Sequence, residues 1–127
     1  MANKQNSIKI TSIVCHGTSD VGGTNDEVYI YYQADAGLPV RYPATSYQRM
    51  NTSANSSNDV VKTWDVDLVL NFDHEVLVTL WDQDIEGLNN QSNFLINCDY
   101  TSDNPPASYN MKNHNGANYT INATSNA

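Results

Sequence analysis

Apolar and polar residues alternate along most of this chain with a period of two, the repeat that sends successive side chains to opposite faces of a β-strand. Ile8 to Cys15 is the first such run, with Ile8, Ile10 and Ile13 facing inward, and its change of phase around Ser12-Ile13-Val14 predicts a bulge. Glu27 to Gln33 is the second, with Val28, Ile30 and Tyr32 on one face and Tyr29 and Tyr31 on the other. Val40 to Tyr47 predicts a short edge strand limited by Pro43. Val60 to Phe72 sets Val66, Leu68, Leu70 and Phe72 against Asp65, Asp67, Val69 and Asn71. The tight Asp73-His74 connection into Glu75–Trp81 makes residues 63–81 read as a hairpin. Phe94 to Tyr100 and Asn118 to Ala123 complete the set, and the polar stretches 16–26, 34–39, 50–59 and 101–118 read as loops. No stretch carries a helical period. The pattern predicts an all-β chain: one antiparallel β-sandwich of seven or eight strands over residues 1–127, with flexible tails at 1–7 and 124–127.

Composition narrows the possible roles. The chain has 14 acidic and 6 basic side chains and a formal charge of −8, which excludes unaided binding to nucleic acid or to an anionic membrane. The polar start MANKQNS and the lack of a long apolar run predict no signal peptide and no transmembrane segment. A cytoplasmic location follows, with non-classical export as the other route. Cys15 and Cys98 each sit near a predicted strand end, so a single bridge stays open. Neither catalysis nor zinc is predicted. Cys15 and His16 are strand neighbours that point apart, nothing supplies an oxyanion hole, and His16, His74 and His114 lack zinc-ligand spacing.

The candidate chemistry lies where the strand Val76–Trp81 breaks into Asp82-Gln83-Asp84-Ile85-Glu86-Gly87. Three carboxylates in five residues repel one another unless solvent or a cation neutralises them. Alternate positions can turn their oxygens toward one point, the all-oxygen site that calcium prefers. Asp82, Asp84, Glu86 and Gly87 also fit positions 1, 3, 5 and 6 of an EF-hand loop. Position 12 would be Asn93, however, and the incoming segment is a strand, so a true EF-hand is rejected. A second acidic loop, Asp20-Val21-Gly22-Gly23-Thr24-Asn25-Asp26, also leaves one strand and enters another.

Taken together, the two loops resemble those of the C-two domain, the calcium- and phospholipid-binding sandwich of protein kinase C and synaptotagmin. Asp20, Gly23, Asp26, Val28 and Tyr29 approximate the family's first loop and following strand. Asp82, Asp84 and Asn90 stand at the three aspartate places of its other calcium loop. Glu27 replaces the usual proline, Asn90 is neutral, and the lysine-rich strand that many members use for phosphoinositides is absent.

The resemblance implies a C-two-like sandwich that binds calcium through Asp20, Asp26, Asp82 and Asp84, with Asn90 as a weaker ligand and Glu86 substituting for the third aspartate. It further implies membrane contact by Val21, Ile85 and Leu88, and calcium-dependent recruitment of anionic phospholipid or of a protein or glycan partner. Two other readings fit the residues. One is a carbohydrate-binding module or lectin with structural calcium, using Tyr29, Tyr31, Trp64 and Trp81 as platforms. The other is a self-assembling structural protein that pairs through its sheet edges. The calcium reading requires both acidic loops to reach the same rim.

Overall fold

A computed structural model of the chain describes residues 6–18, 25–53, 60–83, 92–101, 108–112 and 116–125. Among these residues there are ten strands: β1 (Asn6–Gly17), β2 (Asp26–Ala34), β3 (Val40–Tyr42), β4 (Gln48–Met50), β5 (Val60–Val61), β6 (Thr63–Phe72), β7 (Glu75–Gln83), β8 (Ser92–Thr101), β9 (Tyr109–Lys112) and β10 (Asn118–Ser125). They form two sheets. One has the order β6-β1-β10-β9; the other runs β5-β4-β2-β7-β8, with β3 also on β2. All pairings are antiparallel except the short β4–β5 pair.

The period-two pattern is realised most regularly in β6, where Trp64, Val66, Leu68, Leu70 and Phe72 are buried and the residues between them are exposed. Ile8, Ile10, Ile13, Tyr119 and Ile121 join them from the same sheet. Val28, Ile30, Val76, Val78, Leu80, Ile96 and Cys98 face them from the other, so one core fills the space between the layers. The bulge in β1 falls between Ile10 and Ser12, earlier than the sequence suggests. Ile8 and Ile10 must face inward and so must Ile13 and Cys15. The extra residue, Thr11, absorbs the change of parity, and its Oγ1 donates to the carbonyl of Asn122.

Three features differ from the sequence pattern. Residues 63–81 do not form a hairpin: β6 and β7 lie in different sheets. The Asp73-His74 corner crosses the sandwich, and its amides are taken by a side chain of the opposite sheet. Asp35, in the left-handed region at φ 52°, accepts from the backbone N–H groups of Asp73, His74 and Glu75 at 2.7, 2.7 and 3.1 Å. Strand β9 falls where a polar loop is expected, and β4 lies between the expected edge strand Val40–Tyr47 and the expected loop that starts at Met50. Both are short: β4, between β5 and β2, buries Met50, and Tyr109 and Met111 of the edge strand β9 pack against the core. Asn6 and Ser7, and Thr124 and Ser125, assigned to the tails by sequence, are paired within β1 and β10. Cys15 and Cys98 are both buried and unbridged.

Candidate functional site

Strand register decides whether the acidic loops can meet. Val28, two residues into β2 from Asp26, pairs with Asp82 near the end of β7. Asp26 pairs with Met50, and Gly17 pairs with Asn118. The ends of β1, β4, β7 and β9 and the starts of β2, β8 and β10 therefore lie at one end of the sandwich. Asp35 and the Asp73-His74 corner lie at the other.

Two of the six candidate ligands are described, and both are buried carboxylates at this rim. Asp82 extends the buried series Val76, Val78, Leu80 and is 2% exposed. Its Oδ1 accepts from the backbone N–H of Glu27 at 2.7 Å, tying the end of β7 to the start of β2. Asp26 is fully buried, and its Oδ2 accepts from the Tyr119 hydroxyl of the opposite sheet at 2.5 Å. The buried Cys15 thiol bonds to the same phenol. Burial, and then the neighbouring Asp26 carboxylate, push the Tyr119 phenol far above its ordinary range, so it stays protonated as a donor. Burial also raises the Cys15 thiol. A carboxylate removed from water is costly unless donors or a cation compensate it. The sequence brings two such groups to one rim and supplies charge-assisted partners there.

The remaining candidates, Asp20, Asp84, Glu86 and Asn90, and the apolar tip residues Val21, Ile85 and Leu88, lie outside the described residues. Among the described residues no group of three His, Cys, Asp or Glu side chains gathers as a metal site. Asp65 and Asp67 alternate with the core residues of β6 and are exposed, and Asp67 pairs with Lys9 at 2.8 Å. Neither joins the rim.

Further rim contacts have no signal in the loop motifs. Asn51 Nδ2 donates to Asn25 Oδ1 at 2.7 Å, linking the second connection to the first. Lys62 Nζ reaches the carbonyls of Cys15 and Thr52 at 3.2 and 3.3 Å, and the Cys15 N–H returns to the Lys62 carbonyl. Tyr119 had one sequence clue: it shares the inward face of the last strand with Ile121, and a buried tyrosine needs a partner for its hydroxyl.

The proposed aromatic platforms divide. Trp64 is in the core, stacked on Tyr42 at 6.1 Å, and Tyr29 is 3% exposed beneath Arg41, so neither offers a face to a ligand. Tyr31 and Trp81 remain on the outer face of the sheet.

No protein-family model matches the chain, and no curated protein matches it significantly. Solved structures do share its fold. A structure described as that of a C2 domain matches over 96% of this chain and 99% of its own, at a TM-score of 0.53 and 12% identity. Human GIVD cytosolic phospholipase A2, in complex with methyl gamma-linolenyl fluorophosphonate inhibitor and terbium chloride, matches over 97% of this chain at a TM-score of 0.51 and 7% identity. This chain spans 17% of that phospholipase chain. The fold is therefore a C-two-like β-sandwich. Among the described residues no helix is long and apolar enough to cross a membrane.

Proposed function

We propose that the chain is a calcium-binding C-two-type module whose acidic rim recruits an anionic lipid surface or partner. The observation that carries this reading is the shared rim. Asp26 and Asp82, which flank the two acidic connections, are buried at the same end of the sandwich, and Asp82 holds the first residue after Asp26. Asp20 in the first connection and Asp84, Glu86 and Asn90 in the second would supply the further oxygens. Calcium takes six to eight oxygen ligands, and its remaining positions would accept phosphate or carboxylate oxygens from a target. The chain carries −8 formal charge, so the unloaded rim repels an anionic surface and the loaded rim attracts one. Val21, Ile85 and Leu88 would enter the headgroup layer. One structural neighbour is in complex with terbium chloride, which makes the lanthanide a suitable probe here.

Three measurements test the proposal. Millimolar calcium should raise the melting temperature, because a ligand bound only by the folded state stabilises it by about 2.7 kcal/mol at a hundredfold excess over Kd. Terbium should show luminescence excited through Trp81, the neighbour of Asp82. Vesicles containing phosphatidylserine should sediment the protein with calcium and not with chelator. A melting curve unmoved by calcium, with terbium dark, would remove the proposal.

A further inference from the structure

The two outer faces of the sandwich differ in kind. The face of the β6-β1-β10-β9 sheet is mainly polar, with the Lys9–Asp67 pair, Asn71, Thr120 and Asn122 around one exposed aliphatic residue, Val69. The outer face of the β2–β7 sheet carries an open groove of about 480 Å³ whose lining includes Tyr31, Gln33, Pro39, Leu77, Thr79 and Trp81. That volume falls in the roughly 300–1,000 Å³ range of small-ligand sites. Half-buried Tyr31 and Trp81 line it with aromatic surface, the usual make-up of a small-ligand site. Leu77, 36% exposed, extends it toward the far end.

The aromatic rings are held in place before any ligand arrives. Trp81 Nε1 donates to Thr79 Oγ1 at 2.9 Å, and Thr79 Oγ1 in turn approaches the carbonyl of Tyr31 at 3.4 Å. Tyr31 stands perpendicular to Trp81 with centroids 6.5 Å apart, and is braced on its other side by Tyr29 at 5.6 Å. Gln33 Nε2 is fixed on the Gly37 carbonyl at 2.6 Å. Register places planar amides around this platform. Gln33 is opposite Leu77, and Thr79 is opposite the exposed Asn97.

Charge selects the class of ligand. No charged residue lines the groove. Arg41, paired with Tyr31 across β2 and β3, lies 3.8 Å over the Tyr29 ring and donates to the carbonyls of Pro43 and Ser46. Asp99, opposite Leu77, is exposed at the groove's edge. Arg41 and Asp99 flank the groove with opposite signs, so the flanking charges select neither an anion nor a cation. A neutral polyol needs neither charge. Its axial C–H faces suit aromatic rings and its hydroxyls suit amides. We propose that this groove is a saccharide site for neutral glycan chains, separate from the rim and independent of calcium.

The test is affinity gel electrophoresis of the full chain in chelator, with mixed-linkage β-glucan, xylan and galactomannan each cast in the gel. At least one polymer should retard the native chain. Trp81→Ala and Tyr31→Ala should each weaken that retardation roughly tenfold, the loss of a stacked aromatic contact. Trp81→Phe should keep most of it. Leu77→Ser, at the solvent edge, provides a variant that does not touch the ring network, and it should also weaken binding. Melting curves confirm that each variant is folded. No retardation by any of the three polymers, or equal retardation of the native chain and the folded alanine variants, would overturn the site. Because chelator is present throughout, a failed calcium response at the rim leaves this result unchanged.

Discussion

Asp26 is a carboxylate with no surface in water, and the phenol of Tyr119 is one of the groups that meets it. Tyr119→Phe removes that donor and leaves buried charge less well matched. It should cost about 1–3 kcal/mol in urea denaturation, the range for a lost bond to a charged group. Asp35 works in the open at the other pole. Backbone donors from Asp73 and His74 hold its carboxyl below the ordinary value of 3.8. A depressed carboxyl stabilises the fold above its unfolded value, and the stabilisation disappears as pH falls through the folded value. Asp35→Asn, which tolerates the left-handed backbone, should therefore melt below the native chain at pH 7. The gap should narrow once pH drops below about 3.8. Burial also pushes the Cys98 thiol up to about 12 and raises that of Cys15. Iodoacetamide at pH 8 should label neither until urea unfolds the chain. At this scale the sequence announces positions and hides environments. Asp26 is visible as the last acid of a loop, yet its partner lies 93 residues away on another sheet. Asp35 reads as a turn residue, because the amides it holds are nearly forty positions downstream.

Strands were legible where burial is one-sided and long. β6 alternates over ten residues, and its end at Phe72 and the inward Val66, Leu68, Leu70 and Phe72 can be read directly, whereas its start at Thr63 and the separate β5 cannot. β4 and β9 were not, since three or four residues with one or two core contacts carry too little pattern to stand out from a polar loop. The apparent hairpin at 63–81 fails for a different reason. Period two tells which side chains face the core, but two strands facing each other across the core have the same pattern as two paired edge to edge. The missing Asn-Gly type of turn and the remote Asp35 carboxylate decide between them. At the rim, β1 and β10 approach closely because two glycines permit it. A Cβ on Gly17 would stand 2.7 Å from the Gly116 carbonyl oxygen, and Gly116 itself holds φ +107°. Backbone cannot yield as a side chain does, so Gly17→Ala should cost about 1–3 kcal/mol by chemical denaturation.

For the molecule as a whole, the likeness to solved C-two structures concerns the fold, at 12% and 7% identity. The case for cation binding rests instead on where this chain's own acids are placed. The strand ends that flank the two acidic connections share one pole, and strand order explains why. β2 sits between β4 and β7, so the start of β2 and the ends of its two neighbours occupy one pole. Sequence spacing alone cannot supply that order. Calorimetric titration with calcium, on the native chain and on Asp82→Asn/Asp84→Asn, tests the central claim most directly. Asparagine keeps an oxygen for the Glu27 amide while removing the charge and replacing the second oxygen with an amide nitrogen. The proposal predicts saturable heat for the native chain and its loss in the folded double variant. Equal heats from both proteins, or none from the native chain, would contradict it.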